Sequence, residues 1–254
     1  MSVFAVVKRK HLIVSAVAAL AVLVIVLGVT LGTQTAQAER KLPIYCVEDD
    51  HKIAITFDAS WGAERTKGIV DALYERGLKA TFFLTGIWIA AYPKETIYIH
   101  DHGMEIGNHS AHHYNMGKMS NQDCMEEISS VNRQVRDLTG VYPTVFRAPF
   151  GDYGDVLIDT LESMGMRCIQ WDVDSLDWKG LGKDELYRRI TQGVKGGSII
   201  LCHNNSDHIL EALPDVLDDL TKAGYQFVIV SELIANKQGT LDHQGKLHAA
   251  RQGG

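Results

Sequence analysis

The chain has 254 residues, 46% of them hydrophobic, which is enough for one large core, so a single catalytic-sized domain is expected. A formal net charge of −6, with no dense basic run after the first dozen residues, leaves no electrostatic footprint for DNA or RNA. Nucleic-acid binding is excluded as the working hypothesis.

In chain order, residues 1–11 form a short N-terminus carrying Lys8, Arg9 and Lys10. The uncharged run LIVSAVAALAVLVIVLGVTLG follows at 12–32, long enough to cross a bilayer as a transmembrane helix or signal anchor. Positive charge on its N-terminal side alone predicts an N-inside orientation that exports everything downstream. Ala36-Gln37-Ala38 reads as a small-residue cleavage site, so a retained anchor and a secreted product both stay open. A polar linker is expected at 33–51.

From there to about residue 236, strand-like apolar runs alternate with helical patterns. The strand candidates are IAITF at 53–57, KATFFLTG at 79–86, MEIGN at 104–108, TVFRA at 144–148, RCIQWDV at 167–173, SIILC at 198–202 and YQFVIV at 225–230. Between them, stretches such as SNQDCMEEISSVNRQVRDLTG repeat apolar residues at helical spacing and end at a glycine. Strand followed by helix, with the strands apolar throughout, predicts a parallel α/β sheet, either closed as a barrel or open and doubly wound. The polar tail 237–254 shows no sustained period and is expected to be disordered. Cys46, Cys124, Cys168 and Cys202 are too widely spaced for a zinc or redox motif and read as buried thiols, with one disulfide left open.

Parallel α/β folds place function where strands end. Asp58 follows the first strand candidate, His109 and His113 the third, Arg147 ends the fourth, Asp174 and Asp177 follow the fifth, and His203 follows the sixth. A lone strand-terminal Asp is usually a helix cap, but five strand ends delivering titratable groups to one rim suit a hydrolytic metal site with an acid and a base. His109 and His113, four apart in HSAHH, would share one helical turn and aim at one ion; a pair of surface histidines at a helix start is the competing reading. Arg147 precedes a proline, which holds it extended, and Asp58 is its natural carboxylate. Asp174 is the expected orienting carboxylate for His203. Phe150 and Trp178 are candidate sugar-stacking surfaces or packing residues.

These motifs, TFD at 56–58, HSAHH at 109–113, RAPFG at 147–151, DSLDW at 174–178 and LCH at 201–203, resemble in order the polysaccharide deacetylase family, the NodB homology domain of carbohydrate esterase family 4. TFDASWG, with one N-terminal apolar segment, looks most like the sporulation-associated PdaB branch of that family. The resemblance implies a distorted (β/α) barrel over 52–236 that removes N-acetyl groups from an amino-sugar polymer such as peptidoglycan or chitin. It implies Asp58 as general base, Arg147 holding that base ionised, and His203 as general acid tuned by Asp174. It further implies a divalent metal, zinc or else cobalt, nickel or manganese, on His109 and His113. Phe150 would help stabilise the oxyanion, with Gly151 beside it, and Leu201 and Trp178 would enclose the acetyl methyl.

At one position the chain departs from the family pattern, which has a second, metal-binding Asp where Ala59 stands. Two imidazoles bind an ion more weakly than a three-ligand set. Either water, Ser60 or Glu64 fills the gap and a hydrolase remains, or the domain has become a catalytically impaired binder of glycan. An esterase for O-acetylated glycans such as xylan would use the same machinery.

Overall fold

The computed structural model describes residues 40–235 and 239–249. The apolar segment at 12–32 lies outside them, and no helix among the described residues is long and apolar enough to cross a membrane.

Strand β2, Lys52–Ala59, is the centre of the fold. Its alternating side chains are buried on both faces, because Ile53, Ile55, Phe57 and Ala59 join the helix-side core while Ala54 joins a second apolar cluster on the opposite face. Thr56 and Asp58, in phase with Ala54, are the polar interruptions of that second face. On one side β2 is flanked by β3, Thr81–Leu84, then β4, Glu105–Asn108, β5, Val145–Phe146, and β6, Arg167–Cys168. On the other lie β8, Ile199–His203, and β7, Val173–Asp174, and the short β9, Gln226–Phe227, pairs with the start of β2. All these pairings are parallel. The result is an α/β half-barrel.

Helices cover the outside: α1, Thr66–Tyr74, α2, Gly86–Ala91, α3, Pro93–Asp101, α4, Asn121–Thr139, α5, Asp155–Ser163, α6, Lys183–Gln192, α7, Ile209–Lys222, and α8, Val230–Ala235. Helix α4 shows the local logic. Cys124, Ile128, Val131 and Val135 recur along one buried stripe, the Ser120 hydroxyl accepts from the Asp123 N–H at the start, and Gly140 at φ 79° ends the helix in the left-handed region.

Three expectations are corrected. RCIQWDV is not one strand: it splits into β6 and β7 at opposite edges of the sheet, with Ile169–Asp172 crossing between them. The linker is partly folded, because Ile44 and Val47 are apolar and enter the inner core. Ile44 bridges Ile169 and Cys46 bridges Ser198, so β1, Cys46–Val47, lies across the open side of the half-barrel. The tail is structured at 239–249, where β10, Lys246–Leu247, pairs in parallel with β1 and buries Leu247. Two-residue strands carry too little alternation for a period to show. All four cysteines are buried free thiols, as expected.

Gly107 in β4 faces Phe83 in register, and a Cβ there would stand 2.5 Å from the Phe83 ring. That ring supports the Arg147 guanidinium, 4.2 Å from its centroid. Gly107→Ala is therefore expected to overpack the inner face and cost about 1–3 kcal/mol, read as a lower urea midpoint at unchanged slope.

Candidate active site

The carboxyl ends of the strands open into a cleft of about 1010 Å³. Nine of the ten expected site residues line it: Asp58, His109, His113, Phe150, Gly151, Asp174, Trp178, Leu201 and His203. The tenth, Arg147, lies beneath it and is fully buried.

Arg147 organises one wall. Its Nη1 donates to Asp58 Oδ1 at 2.7 Å and to Thr56 Oγ1 at 2.7 Å, and its Nη2 donates to the Gln170 carbonyl at 3.1 Å. Burial opposes the Asp58 charge, but the Arg147 cation prevails and holds the carboxyl below its ordinary value. The second oxygen, Oδ2, lies 3.5 Å from His109 Nε2. His109 is oriented from behind, its Nδ1 within 2.8 Å of the Arg147 carbonyl, an acceptor only; Nδ1 therefore carries the proton and Nε2 is left as a free lone pair.

HSAHH does not form the expected helical turn. Ser110 and His113 take φ of 67° and 60°, and the loop is held by the Ser110 hydroxyl, which accepts from the His113 N–H at 3.0 Å. Non-glycine residues with positive φ among the described residues are Ser110, His113, Phe150 and Leu176, so the strained backbone gathers at this cleft. The two imidazoles still converge, with ring centroids 4.9 Å apart. Burial drives both toward neutrality, His113 down to about 4 with His109 adding to the effect.

Beside Asp58, His203 stands in register on the adjacent strand β8. Its partner is Asp177, not Asp174. Asp177 Oδ1 lies 2.6 Å from His203 Nδ1, and Oδ2 accepts from the His203 backbone N–H at 2.7 Å. Asp174 instead accepts from the Leu176 N–H at 2.9 Å, closing a turn in which Leu176 goes left-handed and swings Asp177 back under the histidine. Burial opposes a charge on His203, but the bond to Asp177 and its charge outweigh it and raise the imidazole above its ordinary value. The cleft thus holds an ionised carboxylate facing a histidine poised to carry a proton.

Two neutral imidazoles, one with a free Nε2 beside a carboxylate and the other converging on it at 4.9 Å between ring centroids, suit a divalent ion. The set is thin. Ala59 is fully buried in the helix-side core and Ser60 lines the cleft in its place, and among the described residues no three His, Cys, Asp or Glu side chains form a metal cluster. The residues fit an ion with two protein nitrogens. Glu64 does not line the cleft.

Sequence reading missed Trp61, Trp171, Lys179, Asn205, Ser206 and Asp207, which complete the walls. Their signal was position, just after β2 and β8, on the turn beyond β7, or, for Trp171, in the crossing between β6 and β7. The loops after β2 and β8 are tied together: the Gly62 carbonyl accepts from Trp88 Nε1 at 2.6 Å and Asn204 Nδ2 at 2.8 Å, and Arg65 pairs with Asp207 at 2.8 Å.

A parallel half-barrel that gathers an ionised carboxylate, a protonatable histidine and two neutral imidazoles in one cleft suits the class of hydrolytic α/β proteins. The polysaccharide deacetylase pattern matches residues 47–169. The peptidoglycan-N-acetylmuramic acid deacetylase PdaA of Bacillus subtilis is 30% identical, over 73% of this chain and 72% of its own. The peptidoglycan-N-acetylglucosamine deacetylase PgdA of Listeria monocytogenes is 33% identical over 73% of this chain, which spans only 39% of that relative. A CE4 family pseudoenzyme from Bacillus anthracis superposes with a TM-score of 0.73 at 29% identity, covering 82% of this chain and 72% of that one. This chain belongs to the polysaccharide deacetylase family.

Two pH effects follow with opposite sign. The His203–Asp177 pair adds stability that is complete below the unfolded imidazole value of 6.5 and is lost as pH rises through the raised folded value; the Asp58–Arg147 pair adds stability above 3.8 that is lost as pH falls through the depressed one. Asp177→Asn should make His203 titrate at lower pH in NMR, while Asp174→Asn leaves it nearly unchanged; equal shifts would reject the pairing. Arg147→Met strands the Asp58 charge and should cost about 3–5 kcal/mol in chemical denaturation, with part recovered when Asp58→Asn is added.

Proposed function

We propose that this protein is an extracytoplasmic, metal-dependent hydrolase that removes N-acetyl groups from an amino-sugar polymer, with peptidoglycan the preferred substrate. The observation that carries the reading is the complementary pair at the strand ends: Asp58 kept ionised by Arg147, and His203 kept protonatable by Asp177, on adjacent strands in register. The peptidoglycan deacetylase names of the relatives support the substrate class. The uncharged run at 12–32 supports export with a membrane anchor or a cleaved signal, and a role in sporulation rests on the likeness of TFDASWG alone.

Amide hydrolysis requires a nucleophile, a polarised carbonyl and a proton for the departing nitrogen. Asp58 accepts the proton of the attacking water on Oδ2, because Oδ1 is committed to Arg147. A divalent ion held by His109 and His113 would polarise the acetamide carbonyl and supply Lewis acidity. His203 delivers its Nε2 proton to the leaving amine, its Nδ1 being fixed by Asp177. Leu201 gives the cleft an apolar contact suited to the acetyl methyl, and Trp178, 63% exposed, a ring face for sugar.

One observation favours a second reading. With Ala59 where the family pattern has an Asp, the ion has two protein nitrogens, and a pseudoenzyme is among the similar structures. On that reading the domain binds glycan without cleaving it. Acetate release from peptidoglycan and N-acetylglucosamine oligomers, with zinc, cobalt, nickel and manganese supplied in turn, separates the two. Metal-dependent release that falls at least about a hundredfold in Asp58→Asn is expected. Glycan binding with no release under any metal would establish the binder, and faster release from O-acetylated xylan would move the substrate class.

A further inference from the structure

The two imidazoles of the site are held by different means. His109 is fixed by a hydrogen bond from Nδ1 to the Arg147 carbonyl, the usual way a metal-binding histidine is oriented. His113 has no such bond on its buried Nδ1 among the described residues. Three rings meet it edge-on instead. Trp61 lies 5.0 Å away, centroid to centroid, at 73°, Phe150 at 4.4 Å and 66°, and His109 at 4.9 Å and 68°.

Both aromatic neighbours are costly to keep where they are. Trp61 and Phe150 are 60% and 65% exposed, and Phe150 holds a left-handed backbone at φ 59°. Trp61 sits on a loop whose next carbonyl, at Gly62, is locked by Trp88 and Asn204. A loosely held surface indole would need neither bond.

We propose that Trp61 and Phe150 are positioning residues: they clamp the His113 imidazole by edge contact, in place of the hydrogen bond it lacks, and so preset the second nitrogen of a site short of carboxylate. The proposal rests on the reading that His109 and His113 hold the ion. It gives Trp61, which stands outside the acid and base pairs, a defined task. A short ligand set gains most from such presetting, because each donor that arrives oriented removes an ordering cost at binding.

Two measurements on the full chain test it. In the metal-free protein, the His113 ring signals in carbon–proton NMR should move and average in Trp61→Ala, as the ring loses its neighbour's current and support, and return toward wild type in Trp61→Phe. Cobalt affinity by chelator competition should fall about tenfold in Trp61→Ala and in Phe150→Ala and recover in Trp61→Phe. Unchanged ring signals in Trp61→Ala would overturn the clamp, as would unchanged cobalt affinity in both alanine variants. A wild-type protein that binds no cobalt while its ring signals respond as stated would support the clamp and overturn the metal reading. The native unfolding midpoint, expected within a few degrees for exposed Trp61, confirms that the variants are folded.

Discussion

A guanidinium with no access to solvent is the constraint on which the rest of this structure depends. A charge cannot sit inside a half-barrel unless it is paired, and Arg147 is met at Nη1 by Asp58 and Thr56 from β2 and at Nη2 by the Gln170 carbonyl from the crossing between β6 and β7, while its Nε has no hydrogen bond among the described residues. The face of Phe83 lies under it. The same residue sets two functional states at once. Its side chain keeps Asp58 ionised, and its backbone carbonyl selects the His109 tautomer that leaves Nε2 open.

The neighbouring strand repeats the device with the polarity reversed. A buried anion, Asp177, grips both the ring and the backbone of His203 and holds a proton where Arg147 removes one. Two carboxylates at strand ends thus end in different roles because of what each is paired with. Strands in register bring the two pairs side by side, so the distance between Asp58 and His203 is set by the sheet and not by loops.

Much of this was legible in the sequence, because a parallel sheet must put its strand ends on one rim. Asp58, His109, Arg147 and His203 could be found from apolar runs alone, and the order of their motifs matched one family. What was not legible depended on backbone turns. Asp174 and Asp177 flank one short turn, and only the left-handed Leu176 decides which of them reaches His203. HSAHH reads as a helical turn by spacing, yet Ser110 and His113 leave helical space, and the imidazoles meet by another route. The ends misled for a different reason. Ile44 and Val47 belong to the short run LPIYCV at 42–47 and Leu247 stands alone between Lys246 and His248, stretches too brief to show a period, so their burial is revealed only once the sheet they fill exists.

The pairing of β1 with β10 also has a mechanical side. The two strands run parallel, so a pull on the chain before Cys46 and after Leu247 loads their hydrogen bonds in shear, the direction in which a ladder resists best, and not one bond at a time. Tension arriving from either end meets that clasp before it reaches β2. Load applied between those two points is borne at the margin of the half-barrel, away from Arg147 and the cleft above it.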